Sequence, residues 1–213
     1  MSLLVVTVAT MIIAILGLAL GLLLAKGRFH GQELLASFFT LPLVLPPTVS
    51  GYYLIVLLGR HGLIGEPINK LTGWTVVFTW EAAVIAATVL ALPLMVVSSR
   101  AAIESVNPQY EIASYTLGKS QIATFFLITL PLARRGILAG IVLSFTRALG
   151  EFGATFMLAG NIAGKTQTMP LAIYEAVISG DDKRAQILAL ILTGVSVAAV
   201  YLTNKLSKGV IKY

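Results

Sequence analysis

Residues 3–25 read LLVVTVATMIIAILGLALGLLLA, an unbroken run without a single charge. A hydrocarbon core ~30 Å thick takes about 20 apolar residues at 1.5 Å of rise each. The run is therefore long enough to cross a bilayer as one helix. It is also longer than the 7–15-residue apolar core of a secretory leader and has no basic cluster before it, so a membrane span is expected here rather than a leader. The rest of the chain has the same character. Of 213 residues 57% are hydrophobic and only 11% are charged, with 15 Lys+Arg against 9 Asp+Glu. Soluble domains carry about 25% charged residues, so a water-exposed globule and a disordered chain are both excluded. The absence of cysteine removes disulfide scaffolds, thiol nucleophiles and Cys-ligated metals.

Four further segments pass the same length test. Residues 34–59 are uncharged, although Pro42, Pro46 and Pro47 interrupt them. Residues 82–99 are uncharged between Glu81 and Arg100, and the aromatic approach from Trp74 to Trp80 suits an interface belt, giving a span of about 78–99. Residues 136–158 carry only Arg147 and Glu151, and residues 185–204 carry no charge. The expected fold class is thus an all-α integral membrane protein with five transmembrane helices in one domain, 1–213. Only residues 205–213 follow the last span, so no appended regulatory domain is expected.

Cytoplasmic loops are enriched in Lys and Arg. One set of connections holds Lys26, Arg28, Arg100, Lys119, Arg134, Arg135, Lys205, Lys208 and Lys212; the other holds Arg60, Lys70, Lys165, Lys183 and Arg184. This bias places the N-terminus outside and the C-terminus in the cytoplasm. Residues 100–135 then form a long cytoplasmic connection. On the outer side, residues 161–184 hold a loop, 161–168, and a short helix near 170–178.

Three prolines within six residues must break a helix, since each lacks a backbone N–H and clashes with the preceding turn. Residue 46 lies 12 positions into its span, ~18 Å of rise, which is near mid-membrane. A half-helix restarting over Thr48, Ser50 and Gly51 would aim free N–H groups and a positive dipole end into the protein, a favourable place for an anion to pause. The alternative is that Pro46 and Pro47 only bend the span around its neighbour. Arg147 lies ~17 Å into its own span by the same rise, and Glu151 is one turn on. Charges at that depth face a bundle interior or a water-filled path. Either an internal ion pair or a contact to substrate accounts for them.

The cytoplasmic connection holds the most informative stretch. Asn107 before Pro108 is a helix start, with Asn as N-cap and Pro at the first helical position. Gly118 stops that helix after Leu117. Residues 111–131, EIASYTLGKSQIATFFLITLP, continue into a second apolar helix that reaches Pro131. By periodicity alone this is an amphipathic hairpin at the membrane surface, either a plain connector or a docking face for a soluble partner.

The run resembles the EAA loop of ABC importer permeases, in which E-A-A is followed by a Gly and, ten residues on, by I-x-L-P. Gly118, Ile128, Leu130 and Pro131 match that spacing, and Ala113 and Ser114 stand where the paired alanines would be. Ile112 fills the acidic position, and Glu111 precedes it by one residue. Residues 41–52 (LPLVLPPTVSGY), 59–65 (GRHGLIG), 147–155 (RALGEFGAT) and 161–168 (NIAGKTQT) are similar to the molybdate permease subfamily. The resemblance runs from about Gly31 to the last span. It implies the type I ABC importer permease fold, in the inner membrane of a prokaryotic cell. It further implies a coupling helix over 107–117 that inserts into a groove on an ATP-binding subunit. Two such subunits, holding ATP and magnesium, would sit on the cytoplasmic side, and an oxyanion-binding protein would deliver cargo outside. The implied cargo is a tetrahedral oxyanion, molybdate first, with tungstate or sulfate and thiosulfate as alternatives.

Five spans are too few to enclose a pathway, so a homodimer with the path on its two-fold axis is expected. No GxxxxGK[ST] occurs, so the chain is not expected to hydrolyse ATP or to act as an enzyme, and it needs no cofactor or metal of its own. His30 and His61 fall in loops on opposite sides, which argues against a membrane-embedded enzyme. Glu81 and Glu175 read as interfacial carboxylates. A self-sufficient channel or secondary carrier would want an internal repeat or an ion-coupling carboxylate, and neither stands out. Nothing points to nucleic acid.

Overall fold

A computed structural model describes residues 1–27 and 29–207. Arg28, Lys208 and Lys212, counted above among the cytoplasmic basic residues, lie outside the described residues. All regular structure among the described residues is helical: α1 (Ser2–Lys26), α2 (Gln32–Val44), α3 (Pro47–Leu58), α4 (Gly65–Thr72), α5 (Trp80–Glu104), α6 (Pro108–Thr116), α7 (Gln121–Thr124), a π-helical turn (Phe125–Thr129), α8 (Leu130–Leu149), α9 (Gly153–Ala159), α10 (Met169–Ile178) and α11 (Asp182–Ser207).

Lipid tails are as apolar as leucine, so spans associate through close packing of small residues rather than by escape from water. α5 shows how. Its Thr79 N-cap accepts from the Ala82 N–H, and Ala82, Ala83, Ala86, Ala87 and Ala91 are then buried almost completely. α1 offers Ile13, Gly17 and Gly21, four residues apart on one stripe. A Cβ on Gly17 would run into Met95 and one on Gly21 into Ser99. The Ser99 hydroxyl uses that closeness to donate to the Gly17 carbonyl at 3.0 Å.

These contacts also set directions. Gly17 meets Met95 and Gly21 meets Ser99 at a constant offset, so α1 and α5 run parallel. Gly136 meets Ala102 and Gly140 meets Ser98, so α8 runs antiparallel to α5. Two parallel spans require one crossing between them, and α2 with α3 supply it. The pair is broken, not gently bent: its axes turn through 116° at the break. Leu45 precedes Pro46 and Pro46 precedes Pro47. A residue before proline is pushed out of the helical region, and both adopt extended backbone with ψ of 140° and 137°. Four helices are individually long and apolar enough to span, and counting the broken pair as one span gives five crossings.

Three boundaries differ from the sequence expectation. The span expected at 78–99 continues to Glu104. The second helix of the hairpin does not stop before the next span; Gln121–Leu149 is one continuous apolar run. Its irregularity is confined to the π turn, where Leu130 N–H donates to Phe125 O, one residue further back than in an α-helix. Pro131 follows the turn and has no N–H to offer its own i−4 acceptor, Leu127 O. The span expected over 136–158 is itself broken, with α8 ending at Leu149 and α9 starting at Gly153. α9 is tied to the entry of α5 by Phe78, whose N–H donates to Leu158 O at 3.1 Å from a left-handed backbone (φ 62°).

Candidate functional site

The two breaks meet. A Cβ on Gly153, the first residue of α9, would lie 3.1 Å from Pro47 Cβ and 3.3 Å from Thr48 N, the first residues of α3. One turn along, a Cβ on Gly51 would lie 2.8 Å from Ala154 Cα. Glycine at both positions is what lets the two half-helices touch at their starting ends. The register of α8 against α5 sets Arg147 level with Ala91, midway along α5, and the junction lies just beyond the end of α8. Pro46, Pro47 and Thr48 are exposed on the flank of the single chain, while Ser50 and Gly51 are buried behind them. The Ser50 hydroxyl is buried and has no protein partner.

Glu151 lies in the break between α8 and α9 rather than one turn further along a continuous helix. The expected pairing with Arg147 nevertheless forms, Nη1 to Oε2 at 2.6 Å. Its other oxygen, Oε1, accepts the Ala154 N–H at 2.8 Å and so satisfies a free donor at the start of α9. Glu151 is only 3% exposed, and both its oxygens are engaged. Arg147 is partly open, with 29% of its side chain exposed. The break is packed from one side by rings: Phe152 stacks on Phe156 at 5.9 Å, and Tyr174 of α10 lies 5.3 Å from Phe152. The short helix expected near 170–178 is thus α10, seated against the interrupted span. Glu175 accepts from Gln167, which also donates to Asn161 at 3.1 Å, so this carboxylate braces the 161–168 loop instead of standing free.

The hairpin occupies the α6 end of the bundle, and its local signals read as expected. Asn107 Oδ1 accepts the Gln109 N–H at 3.0 Å, and Pro108 opens α6. Gly118 adopts φ 76°, letting its N–H reach Tyr115 O and the Lys119 N–H reach Ser114 O at 3.1 Å. Ser114 faces inward, its hydroxyl 2.8 Å from that of Thr124. Ala113 is exposed beside it. Ile128 and Leu130 are half-buried in and after the π turn, and Pro131 is exposed. Tyr110, Ile112 and Tyr115 of α6 and Leu117 just past its end are exposed apolar side chains, Leu117 being 80% exposed.

Glu111 is the residue whose place the sequence did not reveal. It turns inward and is 8% exposed. Its Oε2 accepts from Lys26 Nζ at 2.6 Å, and its Oε1 accepts from Thr129 at 2.6 Å. Burial pushes the carboxyl up, but the Lys26 and Thr129 hydrogen bonds outweigh it and hold the group below its ordinary value. Lys26 and Thr129 were not among the expected site residues. The available signals were modest: Lys26 is the first charge after the first span, and Thr129 sits inside the I-x-L-P match. Among the described residues no group of three His, Cys, Asp or Glu side chains could hold a metal ion.

Comparison with known proteins agrees with this architecture. A family model described as binding-protein-dependent transport system inner membrane component matches residues 17–212. The molybdenum transport system permease protein ModB of Haemophilus influenzae is 44% identical over 87% of this chain and 82% of its own. ModB of Escherichia coli is 42% identical over 90% and 84%. The sulfate transport system permease protein CysW of Synechococcus elongatus is more distant, 34% identical over 87% of this chain and 65% of its own. Among solved structures, a chain of the inward-facing MetNI methionine ABC transporter superposes with a TM-score of 0.76 at 14% identity. That match covers 99% of this chain and 93% of the other, which speaks for the fold. The chain belongs to the binding-protein-dependent transport system inner membrane components, the permease subunits of ABC transporters.

Proposed function

We propose that this chain is one half of the pore of a homodimeric ABC importer that takes molybdate into a prokaryotic cell. The observation that carries the proposal is the junction of two interrupted spans at Pro47 and Gly153. Broken backbone at membrane depth is tolerated only where protein or a water-filled cavity surrounds it. On a single chain Pro46, Pro47 and Thr48 are open at the flank. A second copy related by a two-fold axis would turn that flank into an enclosed path.

The junction suits a tetrahedral dianion that must pass and not stay. The start of α3 presents the Thr48 N–H and hydroxyl and the positive end of the helix dipole. Arg147 adds positive potential, and Glu151 neutralises most of it. A bare guanidinium would hold the ion, whereas this one only lowers the barrier. High selectivity then belongs to the binding protein that delivers cargo at the outer end, near residues 161–168 and α10.

The end of the bundle carrying α6 faces the cytoplasm, in keeping with its basic residues. There the exposed apolar side chains of α6 and its end, Ile112 and Leu117 among them, dock into an ATP-binding subunit that carries ATP and magnesium. Closure of the two ATP-binding subunits draws the α6 helices together and exchanges an inward-open for an outward-open arrangement. The chain itself breaks no bond. The high identity to proteins named for molybdenum, against the lower identity to a sulfate permease, favours molybdate.

Uptake of labelled molybdate by the reconstituted assembly, challenged with equimolar competitors, tests the cargo. Tungstate is expected to compete and sulfate to leave uptake unchanged. Sulfate competing as well as tungstate would assign the path to the sulfate class.

A further inference from the structure

α6 is a nine-residue helix joined to α5 by a short link, residues 105–107, and to α7 by residues 117–120. Besides those links the Ser114–Thr124 hydroxyl pair holds it to α7, one neutral contact about which it can still pivot under a load. Glu111 removes that freedom from two sides. Through Lys26 it is bonded to the last turn of α1, 85 positions earlier in the chain. Through Thr129 it is bonded to the end of the π turn, immediately before α8. α1 has no slack of its own, because Gly17 and Gly21 seat it directly on Met95 and Ser99 of α5. Arg147 stands 18 residues beyond Thr129 on the same helical run, ~27 Å along its axis.

We infer that Lys26, Glu111 and Thr129 form a clamp that makes α1, α6 and the base of α8 move as one body, so that force applied to α6 reaches Arg147 and the junction beyond it. This rests on the coupling reading of α6 and adds the positioning residues through which coupling acts. A charge-assisted hydrogen bond is about twice as strong as a neutral one. The Lys26 ammonium and the Glu111 carboxylate are therefore the members whose charge matters. Lys26 is 40% exposed in its side chain, so Glu111→Gln leaves no deeply buried lone cation, and in Lys26→Met the Glu111 carboxylate keeps its hydrogen bond from Thr129. A slot of about 800 Å³ beside the clamp, lined by Leu23, Tyr115, Gln121 and Phe126 among others, leaves α1 and α6 little direct apolar packing there.

The test uses the full assembly in liposomes: permease, ATP-binding subunit and binding protein. The readout is molybdate moved per ATP hydrolysed. Lys26→Met and Glu111→Gln are each expected to lower that ratio on the order of tenfold, the loss of one charged hydrogen bond, while the ATP-binding subunit still co-purifies. Lys26→Arg is expected to keep the ratio. A wild-type ratio in Lys26→Met would overturn the inference. A second measurement does not depend on those variants assembling. The chain has no cysteine, so spin labels at Leu23→Cys and Thr116→Cys report the distance from α1 to α6. An unchanged distance with and without ATP supports one rigid body, and a separation on ATP binding overturns it. If the unmodified assembly shows no ATP-driven uptake, the coupling reading itself has failed, and that result is read before any variant is made.

Discussion

Glu111 shows how one carboxylate can be worth more than its place in a connecting hairpin implies. Its folded value is depressed, so the stability it contributes is complete above its ordinary value of 4.5 and is lost as pH falls through the lowered one. Between about pH 6 and 8 the clamp is therefore constant, and molybdate moved per ATP is expected to be flat over that range. A fall in coupling centred near pH 6 to 7 that Glu111→Gln abolishes would contradict this. Arg147 and Glu151 make a second prediction at the same scale. Glu151→Ala frees a partly open guanidinium and strands the Ala154 N–H, and both it and Arg147→Ala are expected to destabilise the fold. Arg147→Ala leaves a carboxylate only 3% exposed with the Ala154 N–H as its remaining partner, and losing one member of a buried pair costs roughly 3–5 kcal/mol. Unfolding in detergent is expected to show the double variant milder than the sum, and strict additivity would remove the pair.

At the scale of elements, Gly118 ends α6 with φ 76°, a conformation that costs a β-branched residue about 1–2 kcal/mol. Gly118→Val is expected to insert in the membrane normally yet to hydrolyse more ATP per ion moved. Unchanged coupling would separate the hairpin from energy transfer. Gly118 and Asn107 were legible in the sequence because caps are local chemistry. The break at Pro46–Pro47 was legible for the same reason, since a proline disrupts a helix whatever surrounds it. The break at 150–152 was not. Gly150 and Glu151 are tolerated inside a helix, and what interrupts the span is a carboxylate that caps α9 and a glycine that fits against Pro47. The Glu111 clamp was hidden likewise, because its partners lie 85 and 18 residues away.

For the whole molecule, the span pattern came from hydropathy and the parallel course of α1 and α5 from the alternation of spans, while their direct contact needed the glycines at 17 and 21. That course places α6 and the end of α1 together at one face of the membrane. Lys119, in the turn after α6, is therefore expected to react with an impermeant amine reagent in inside-out vesicles and not in intact cells. Labelling of intact cells would invert the topology. The central claim is that this chain is a passive path moved by a separate motor. Purified chain is reconstituted in liposomes alone, then with its ATP-binding subunit and binding protein, and molybdate flux is measured with and without ATP. Flux confined to the complete assembly with ATP is the predicted result; flux through the chain alone would contradict it.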